Sequence, residues 1–241
     1  VMVHMTPIYS RSGETRDVQA AYFADLFQVR LYWDPYLKGE FPEELLNELK
    51  KHDCMFQYRE GDMEVIRDYR VDLFGTDYYF PIRVKAREEA YAGEVFHPEY
   101  YYEPWVMPER RFNSDRGWEI YPQAIVDFGM RIKKDYGNVP WFISENGIGI
   151  AGEDKYRNAE GRIEDDYRIE FIQDHLTAAL QVRKMGSNCF GYLIWSFVDN
   201  VSARNAFKNR YGLLELDLAT YERRPKKSLY WMKEIMSKRE I

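Results

Sequence analysis

Cysteine is scarce in this 241-residue sequence, which contains only Cys54 and Cys189. The two are far apart, lie in apolar surroundings and fit no metal-binding spacing, so we expect reduced thiols in the protein core. Unpaired cysteines favour a cytoplasmic location. The four histidines also form no ligand motif. The sequence therefore gives no reason to expect a metal ion or another cofactor.

Long apolar runs and blocks of positive charge are also missing. No run approaches the roughly 20 apolar residues that a membrane-spanning helix needs, and no signal segment is visible. The net charge is −6. The densest cationic stretch, Arg223-Arg224 with Lys226-Lys227, predicts a solvated turn rather than a nucleic-acid interface. Because the first residue is Val1, not Met, we expect a cut end there.

Apolar periodicity predicts an alternation of strands and helices. The predicted strands cover residues 1–5, 71–76, 141–144 and 190–196, with a minor strand at 213–216. The predicted helices cover residues 18–32, with Asp17 as N-cap, and 42–52, 120–136, 165–185 and 227–238. A long irregular stretch, 87–113, is rich in Tyr, Glu and Pro, which is typical of a functional loop.

This order of elements favours an α/β fold with a parallel sheet covered by helices. A (β/α)8 TIM barrel needs eight strands and about 250 residues. Here about four barrel strands fill almost that length, so the sequence predicts half of a barrel with long loops. Such a half has two open sheet edges and an uncovered apolar inner face. We therefore expect it to need a companion half-barrel or self-association.

The stretch from Trp141 to Gly147 ends an apolar run in a carboxylate, Glu145. A barrel strand can present such a carboxylate at its C-terminal end, where it can attack a sugar carbon. The same residues also fit a hairpin, in which an Asn146-Gly147 turn would join the strands 141–145 and 148–151. The sequence pattern leaves both interpretations open.

Three further segments fit either a site or ordinary structure. Trp195 at the end of its strand could be a sugar platform or a core residue. Tyr79, at the end of the second strand, could orient a carboxylate or pack with other aromatic rings. The loop from Ser202 to Tyr211 offers hydroxyls and cations that could bind a phosphate, but it also fits a solvated loop.

Taken together, these motifs resemble glycoside hydrolase family 1 over nearly the whole chain. Ile143-Ser-Glu145-Asn-Gly147 resembles the nucleophile motif of the family. Trp195-Ser-Phe-Val-Asp199-Asn200 and Arg210-Tyr-Gly-Leu213 resemble its last barrel strand and sugar-binding loop. Gly75-Thr-Asp-Tyr-Tyr79, Arg116-Gly-Trp-Glu-Ile-Tyr-Pro122 and the linker-like stretch from Asp34 to Pro42 are similar to further family segments.

The resemblance implies a role for each matching residue. Glu145 would be the nucleophile of a retaining β-glycosidase, Tyr79 would hydrogen-bond to it, and Trp195 would lie beneath the sugar. Residues 1–241 would form the C-terminal half of the barrel domain, beginning at the fifth strand. The family usually has Asn where this chain has Asp77.

The resemblance also points to a phosphorylated substrate. Plain β-glucosidases of the family carry a Glu-Trp pair where this chain has Ser202-Ala203. A carboxylate there would repel a 6-phosphate, whereas a hydroxyl can bind it. The 6-phospho-β-glycosidases share Ser at 202 and Tyr at 211. Their phosphate-binding Lys falls on Asn209 here, with Lys208 one residue earlier.

One motif of the family is missing. No Asn-Glu-Pro sequence, which carries the general acid/base, occurs in the chain. Glu119 and Glu164 are spare carboxylates that match no acid position. We therefore expect hydrolysis of 6-phospho-β-glucosides by an intact enzyme, with this chain incomplete in isolation. The alternatives are half of a plain β-glucosidase or β-galactosidase, or a non-catalytic half-barrel that only assembles with a partner chain.

Overall fold

The computed structural model describes residues 2–4, 7–202 and 204–239. The predicted opening strand, 1–5, therefore lies partly outside the described residues. The strands are β1 (Met2–His4), β2 (Ile8–Ser10), β3 (Phe74–Asp77), β4 (Ile82–Lys85), β5 (Glu103–Pro104), β6 (Phe112–Asn113), β7 (Trp118–Glu119), β8 (Trp141–Asn146), β9 (Ile150–Ala151), β10 (Cys189–Ile194), β11 (Asn209–Arg210), β12 (Leu214–Leu216) and β13 (Arg223–Pro225).

The α-helices are α1 (Thr15–Asp25), α2 (Leu31–Leu37), α3 (Glu43–Lys51), α4 (Asp62–Asp68), α5 (Gln123–Asp135), α6 (Asp166–Lys184) and α7 (Lys227–Lys238). A π-helical stretch, Leu26–Arg30, makes α1 and α2 continuous, and short 3-10 turns occur at Pro98–Tyr100 and Glu153–Tyr156.

A parallel sheet in the order β1-β3-β8-β10 organises the described part of the chain. Neighbours in the sheet are also successive along the chain, with α5 between β3 and β8 and α6 between β8 and β10. This is the arrangement of a run of β/α units in a barrel. The predicted α/β half-barrel, with about four barrel strands and covering helices, is confirmed.

The core lies between this sheet and its helices. Trp141 of β8 is fully buried, and its indole N–H donates to the Ser187 Oγ at 2.9 Å. Ser187 in turn donates to the Gly129 carbonyl of α5 at 2.7 Å. A Cβ on Gly129 would lie 2.6 Å from the Trp141 ring, so α5 can approach the sheet this closely only because residue 129 is glycine.

Several predicted boundaries shift by a few residues. Helix α7 matches its prediction, while α5, α6 and β3 begin up to three residues later than expected. The stretch from Asp34 to Pro42, expected as a linker, is helical as far as Leu37. Asp17 is not an N-cap, because α1 begins at Thr15 and Glu14 precedes it.

Instead, the buried Asp17 carboxylate links α1 to β4. It accepts hydrogen bonds from Ser12 Oγ at 2.7 Å, Arg11 Nε at 2.9 Å and the Ala86 N–H at 2.9 Å. Burial alone would raise its pKa, but these donors lower the pKa of Asp17 to about 2.

The expectations about burial are partly wrong. Cys189 is buried as predicted, but Cys54 is exposed, because it lies in the turn after α3. Lys226, predicted to lie in a solvated turn, is fully buried. No helix in the described ranges is long and apolar enough to cross a membrane.

Apolar side chains are exposed along β10, which is an edge strand of the sheet. Phe190 and Leu193 are 51% and 53% exposed, and Phe197 just beyond the strand is 64% exposed. A groove of about 1020 Å³ runs from this edge between α6 and α7, lined by residues such as Leu180, Leu193 and Met236. The open sheet edge predicted for a half-barrel is therefore present at β10, with an apolar groove beside it on the helix side.

Candidate active site

The carboxyl ends of β3, β8 and β10 meet at one edge of the sheet, because the three strands are parallel neighbours. They carry Tyr79, Glu145 and Trp195 to the same region. The Tyr79 hydroxyl donates a hydrogen bond to Glu145 Oε2 at 2.8 Å. The structure thus joins the two residues that sequence analysis expected to act together.

Glu145 is held by the backbone on both sides. Its carbonyl accepts from the Tyr78 N–H at 2.9 Å, and the pairing between β3 and β8 is irregular at this point. The next residue, Asn146, is fully buried and donates to the Tyr78 carbonyl at 2.5 Å, while its own carbonyl accepts from the Trp195 N–H at 2.8 Å. Asn146 therefore ties three strands together directly behind Glu145.

Gly147 allows the backbone after Asn146 to pass close to the Trp195 carbonyl. A Cβ at residue 147 would lie only 1.8 Å from the Trp195 carbonyl oxygen, so any side chain would clash with backbone. The alternative hairpin is not formed among the described residues. Strand β8 pairs with β3 and β10, whereas β9 pairs with β11.

The electrostatics of the pair keep Tyr79 a hydrogen-bond donor. Tyr79 is 9% exposed, and burial together with the charge of Glu145 raises the pKa of its phenol far above the ordinary value. The phenol therefore stays protonated. A carboxylate that a neutral donor orients can attack an electrophilic carbon.

The loop that follows β10 is fastened to the same region. Trp195 is half-buried and is joined to Ser196 by a cis peptide bond. The Ser196 N–H donates to the Tyr211 carbonyl at 3.2 Å. Tyr211 is buried, and its ring lies edge-on to that of Tyr79 with 6.5 Å between centroids. The structure thus brings Trp195 and Tyr211 together with the Tyr79–Glu145 pair.

The other predicted loop residues occupy different environments. Ser202 is half-buried and pairs through its backbone with Ala206, while Lys208 is exposed. Asn209 is buried, and both ends of its amide are engaged. It accepts from Asn205 and donates to the Gly149 carbonyl at 3.5 Å. Asn209 therefore points into the protein, and its amide holds the loop.

Aromatic rings also border the Tyr79–Glu145 pair. One of them, Trp118, lies in a segment for which sequence analysis found only a family resemblance and no role. The Trp118 ring lies 5.5 Å from that of Tyr79 and stacks on Phe80 at 4.8 Å. Arg116 covers Trp118, with its guanidinium carbon 4.1 Å from the ring centroid. The two spare carboxylates are engaged elsewhere: Glu119 pairs with Arg83 at 2.7 Å and Glu164 with Arg162 at 2.7 Å.

A buried charge network supports the loop, and sequence analysis missed it. Lys226 Nζ donates to Glu153 at 2.6 Å and to Asp199 at 2.9 Å. Asp199 accepts from the Gly212 N–H at 2.8 Å, and Arg168 joins Glu153 to the Arg210 carbonyl. Burial raises the pKa of Glu153, but the charges of Arg168 and Lys226 outweigh it and lower that pKa. These residues are far apart in the chain, so no local pattern reveals their contact.

No group of His, Cys, Asp and Glu residues within the described ranges could hold a metal ion.

Comparisons with known proteins agree with this architecture. Residues 1–241 match the model of Glycosyl hydrolase family 1. The chain is 45% identical over 237 residues to the 6-phospho-beta-glucosidase GmuD of Bacillus subtilis, covering 98% of this chain and 51% of that protein. It is 30% identical to Beta-glucosidase A of Acetivibrio thermocellus, covering 98% of this chain and 50% of that protein.

Among solved structures, a beta-glucosidase from Exiguobacterium marinum superposes with a TM-score of 0.85 at 27% identity. The match covers 100% of this chain and 52% of that one. The chain thus spans about half the length of the relatives it matches. Because the family match extends over every residue, the chain belongs to glycosyl hydrolase family 1.

Proposed function

We propose that this chain is the C-terminal half, residues 1–241, of a retaining β-glycosidase barrel. Glu145 acts as the nucleophile: it attacks the anomeric carbon and displaces the aglycone, and water then hydrolyses the resulting glycosyl ester. Tyr79 orients Glu145, and Trp195 packs beneath the sugar ring. The observation that carries this proposal is the 2.8 Å hydrogen bond from Tyr79 to Glu145 at the carboxyl ends of parallel strands.

The substrate that we propose is a 6-phospho-β-glucoside. The 45% identity to a 6-phospho-beta-glucosidase supports this choice over the 30% identity to a plain beta-glucosidase. A hydroxyl at Ser202, where plain β-glucosidases carry a carboxylate, also supports it, as does the phenol of Tyr211. Lys208 is a further cation in the same loop.

The general acid must come from outside these residues. The sequence has no Asn-Glu-Pro motif, and Glu119 and Glu164 are bound in ion pairs. Without an acid to protonate the leaving group, only substrates with excellent leaving groups should react at a useful rate. We also propose a cytoplasmic location, because both cysteines are free thiols.

The test uses dinitrophenyl 2-deoxy-2-fluoroglucosides with and without a 6-phosphate. Such reagents need a nucleophile but little acid assistance, and the fluorine slows hydrolysis of the adduct. We expect a mass increase of one fluoroglucosyl group on Glu145, faster for the phosphorylated reagent. Glu145→Gln should abolish labelling while circular dichroism stays unchanged. Labelling of another residue, or none in folded protein, would contradict the proposed nucleophile.

A second candidate function is assembly without catalysis. The exposed edge of β10 and the apolar groove beside it favour a partner that continues the sheet. In this view the chain would assemble with a companion half-barrel or a second copy of itself.

Equal labelling by the two fluoroglucosides would favour another alternative, half of a plain β-glucosidase or β-galactosidase.

A further inference from the structure

Arg116 lies in the tight turn of a hairpin. Strands β6 and β7 pair Asn113 with Trp118, and the Gly117 N–H donates to the Asn113 carbonyl at 2.7 Å. Gly117 adopts a left-handed conformation with φ +69°, which the turn needs and glycine accepts without strain. This geometry places the Arg116 guanidinium over the Trp118 ring, with its carbon 4.1 Å from the ring centroid.

The guanidinium has no carboxylate partner among the described residues, unlike most buried or half-buried arginines of this protein. Its Nε is buried and has no hydrogen-bond partner in the described ranges. Leaving such a donor unsatisfied is costly. The neighbouring acid, Asp115, does not pair with Arg116, because its carboxylate accepts from the Ala151 N–H at 3.2 Å. The guanidinium over Trp118 therefore has no anionic partner in the part of the chain that the structure describes.

The turn between β6 and β7 and the loop from Ser202 to Tyr211 are hydrogen-bonded to the same backbone carbonyl. Asn113 donates to the Gly149 carbonyl at 2.9 Å, and Asn209 donates to that same oxygen at 3.5 Å. The Tyr211 ring packs directly on Gly149, where a Cβ would lie 2.2 Å from the ring. Arg116 and Tyr211 therefore lie near each other, and the charge of Arg116 acts on the Tyr211 phenol, lowering a pKa that burial raises.

The neighbouring cations are less suited to binding an anion beside Tyr211. Arg210 lies 3.8 Å from the buried carboxylate of Asp199 and contacts the Leu216 carbonyl. Lys208 is exposed on the outer part of the loop, and its side chain can remain fully hydrated. A half-buried guanidinium that is stacked on an aromatic ring loses less entropy when it binds a planar or tetrahedral oxyanion.

We propose that Arg116 binds the phosphate group of the substrate, with the Tyr211 hydroxyl as a second donor. This inference rests on the function proposed above, because it assumes a phosphorylated sugar near Glu145. The guanidinium supplies two parallel N–H donors, which match a phosphate oxyanion better than an ammonium does. Arg116 would thus determine specificity for a phosphorylated over a plain glucoside.

The experiment compares labelling of Glu145 by the two fluoroglucosides in variants of this chain. Arg116→Met keeps an apolar side chain over Trp118 but removes the charge. We expect it to lower the preference for the phosphorylated reagent by about tenfold to hundredfold, through a higher half-saturating concentration. Labelling by the unphosphorylated reagent should stay within about twofold, because that reagent has no anion to bind. Arg116→Lys should restore part of the preference. Arg162→Met, which removes a guanidinium 5.7 Å from the Tyr230 ring, is the matched control that should leave the preference unchanged, and Lys208→Met tests the lysine of the loop.

An unchanged preference in Arg116→Met would overturn this inference while leaving the proposed nucleophile and substrate intact. Loss of the preference in Lys208→Met but not in Arg116→Met would assign the phosphate to Lys208 and overturn it equally. If the unmodified chain is not labelled at all, the proposed nucleophile fails, and calorimetry with glucose 6-phosphate decides the role of Arg116. Binding that Arg116→Met weakens at least tenfold would then support it, and no binding or unaltered binding would overturn it.

Discussion

At the scale of single residues, the site depends on which partner of a hydrogen-bonded pair carries the proton. The Tyr79 phenol and the Glu145 carboxylate form a donor–acceptor pair in which the proton stays on the phenol. Tyr136 and Asp34 form a chemically similar pair in the core, at 2.7 Å, away from Glu145 in the fold. The two pairs therefore allow a comparison of the same chemical change in two places.

We predict that Tyr79→Phe slows labelling of Glu145 by the phosphorylated fluoroglucoside about tenfold or more. The carboxylate loses a charge-assisted hydrogen bond that fixes its orientation. Tyr136→Phe removes a comparable bond and should leave the labelling rate unchanged. Intact-mass time courses measure both rates, and equal slowing in the two variants would argue against an orienting role for Tyr79.

The adjacent lysines 226 and 227 differ greatly in what they stabilise. Lys226 is fully buried between Glu153 and Asp199, whereas Lys227 is 41% exposed and pairs with Asp166 at 2.7 Å. We predict that Lys226→Met lowers the free energy of unfolding by about 3–5 kcal/mol, because two buried carboxylates lose a shared cation.

Lys227→Met is the matched control and should cost less than about 1 kcal/mol, since exposed ion pairs contribute little. Urea unfolding followed by fluorescence gives both values. If the two substitutions had the same effect, the network would not be the support of the loop that we describe.

At the scale of elements, the site depends on the spacing between β8 and β10 at the point where the two strands end. The chain after Asn146 passes so near the Trp195 carbonyl that residue 147 has no room for a Cβ. Both strands carry site residues at this point, Glu145 and Trp195. A change in their spacing would therefore displace the carboxylate and the indole relative to each other.

We predict that Gly147→Ala destabilises the chain by about 1–3 kcal/mol or more and abolishes labelling of Glu145, because backbone must move to relieve the contact. Gly13→Ala serves as the control, since nothing lies within 4 Å of the added methyl. Its stability should stay within about 0.5 kcal/mol. Thermal unfolding measures the difference, and a fully labelled Gly147→Ala protein would show that the close approach does not matter.

At the scale of the whole molecule, the parallel sheet ends in an edge strand with an apolar border. The groove between α6 and α7 continues this border, and the family relatives are about twice as long as this chain. A closed barrel removes such edges by pairing them. The chain should accordingly associate through this side.

We predict that the 29.0 kDa chain sediments as a larger species and that Leu193→Lys shifts it toward the monomer. A lysine on this border opposes burial of the β10 edge. Val65→Lys, on α4 and equally exposed at 56%, adds the same charge elsewhere and should leave the mass unchanged. Sedimentation velocity measures the mass, and a stable monomer of the unmodified chain would contradict association.

Much of this protein follows from the sequence because local patterns report local structure. The apolar run before Glu145 and the period of the helices were enough to predict a parallel half-barrel, since burial of one face imposes those periods. The motif around Glu145 and the position of Tyr79 came from resemblance, and the structure brings these two side chains into contact. Their roles in a reaction remain predictions.

Tertiary structure decided what depends on contacts between distant segments. The Asn209 amide bonds to Asn205 and to the Gly149 carbonyl, partners that the sequence pattern does not reveal. Lys226 could have been solvated, and Cys54 could have been buried. In each case the same side chain is compatible with more than one environment, and tertiary packing decides which environment it occupies. Charge and hydrogen-bonding capacity are thus set by the sequence, whereas the partner that satisfies them is set by the fold.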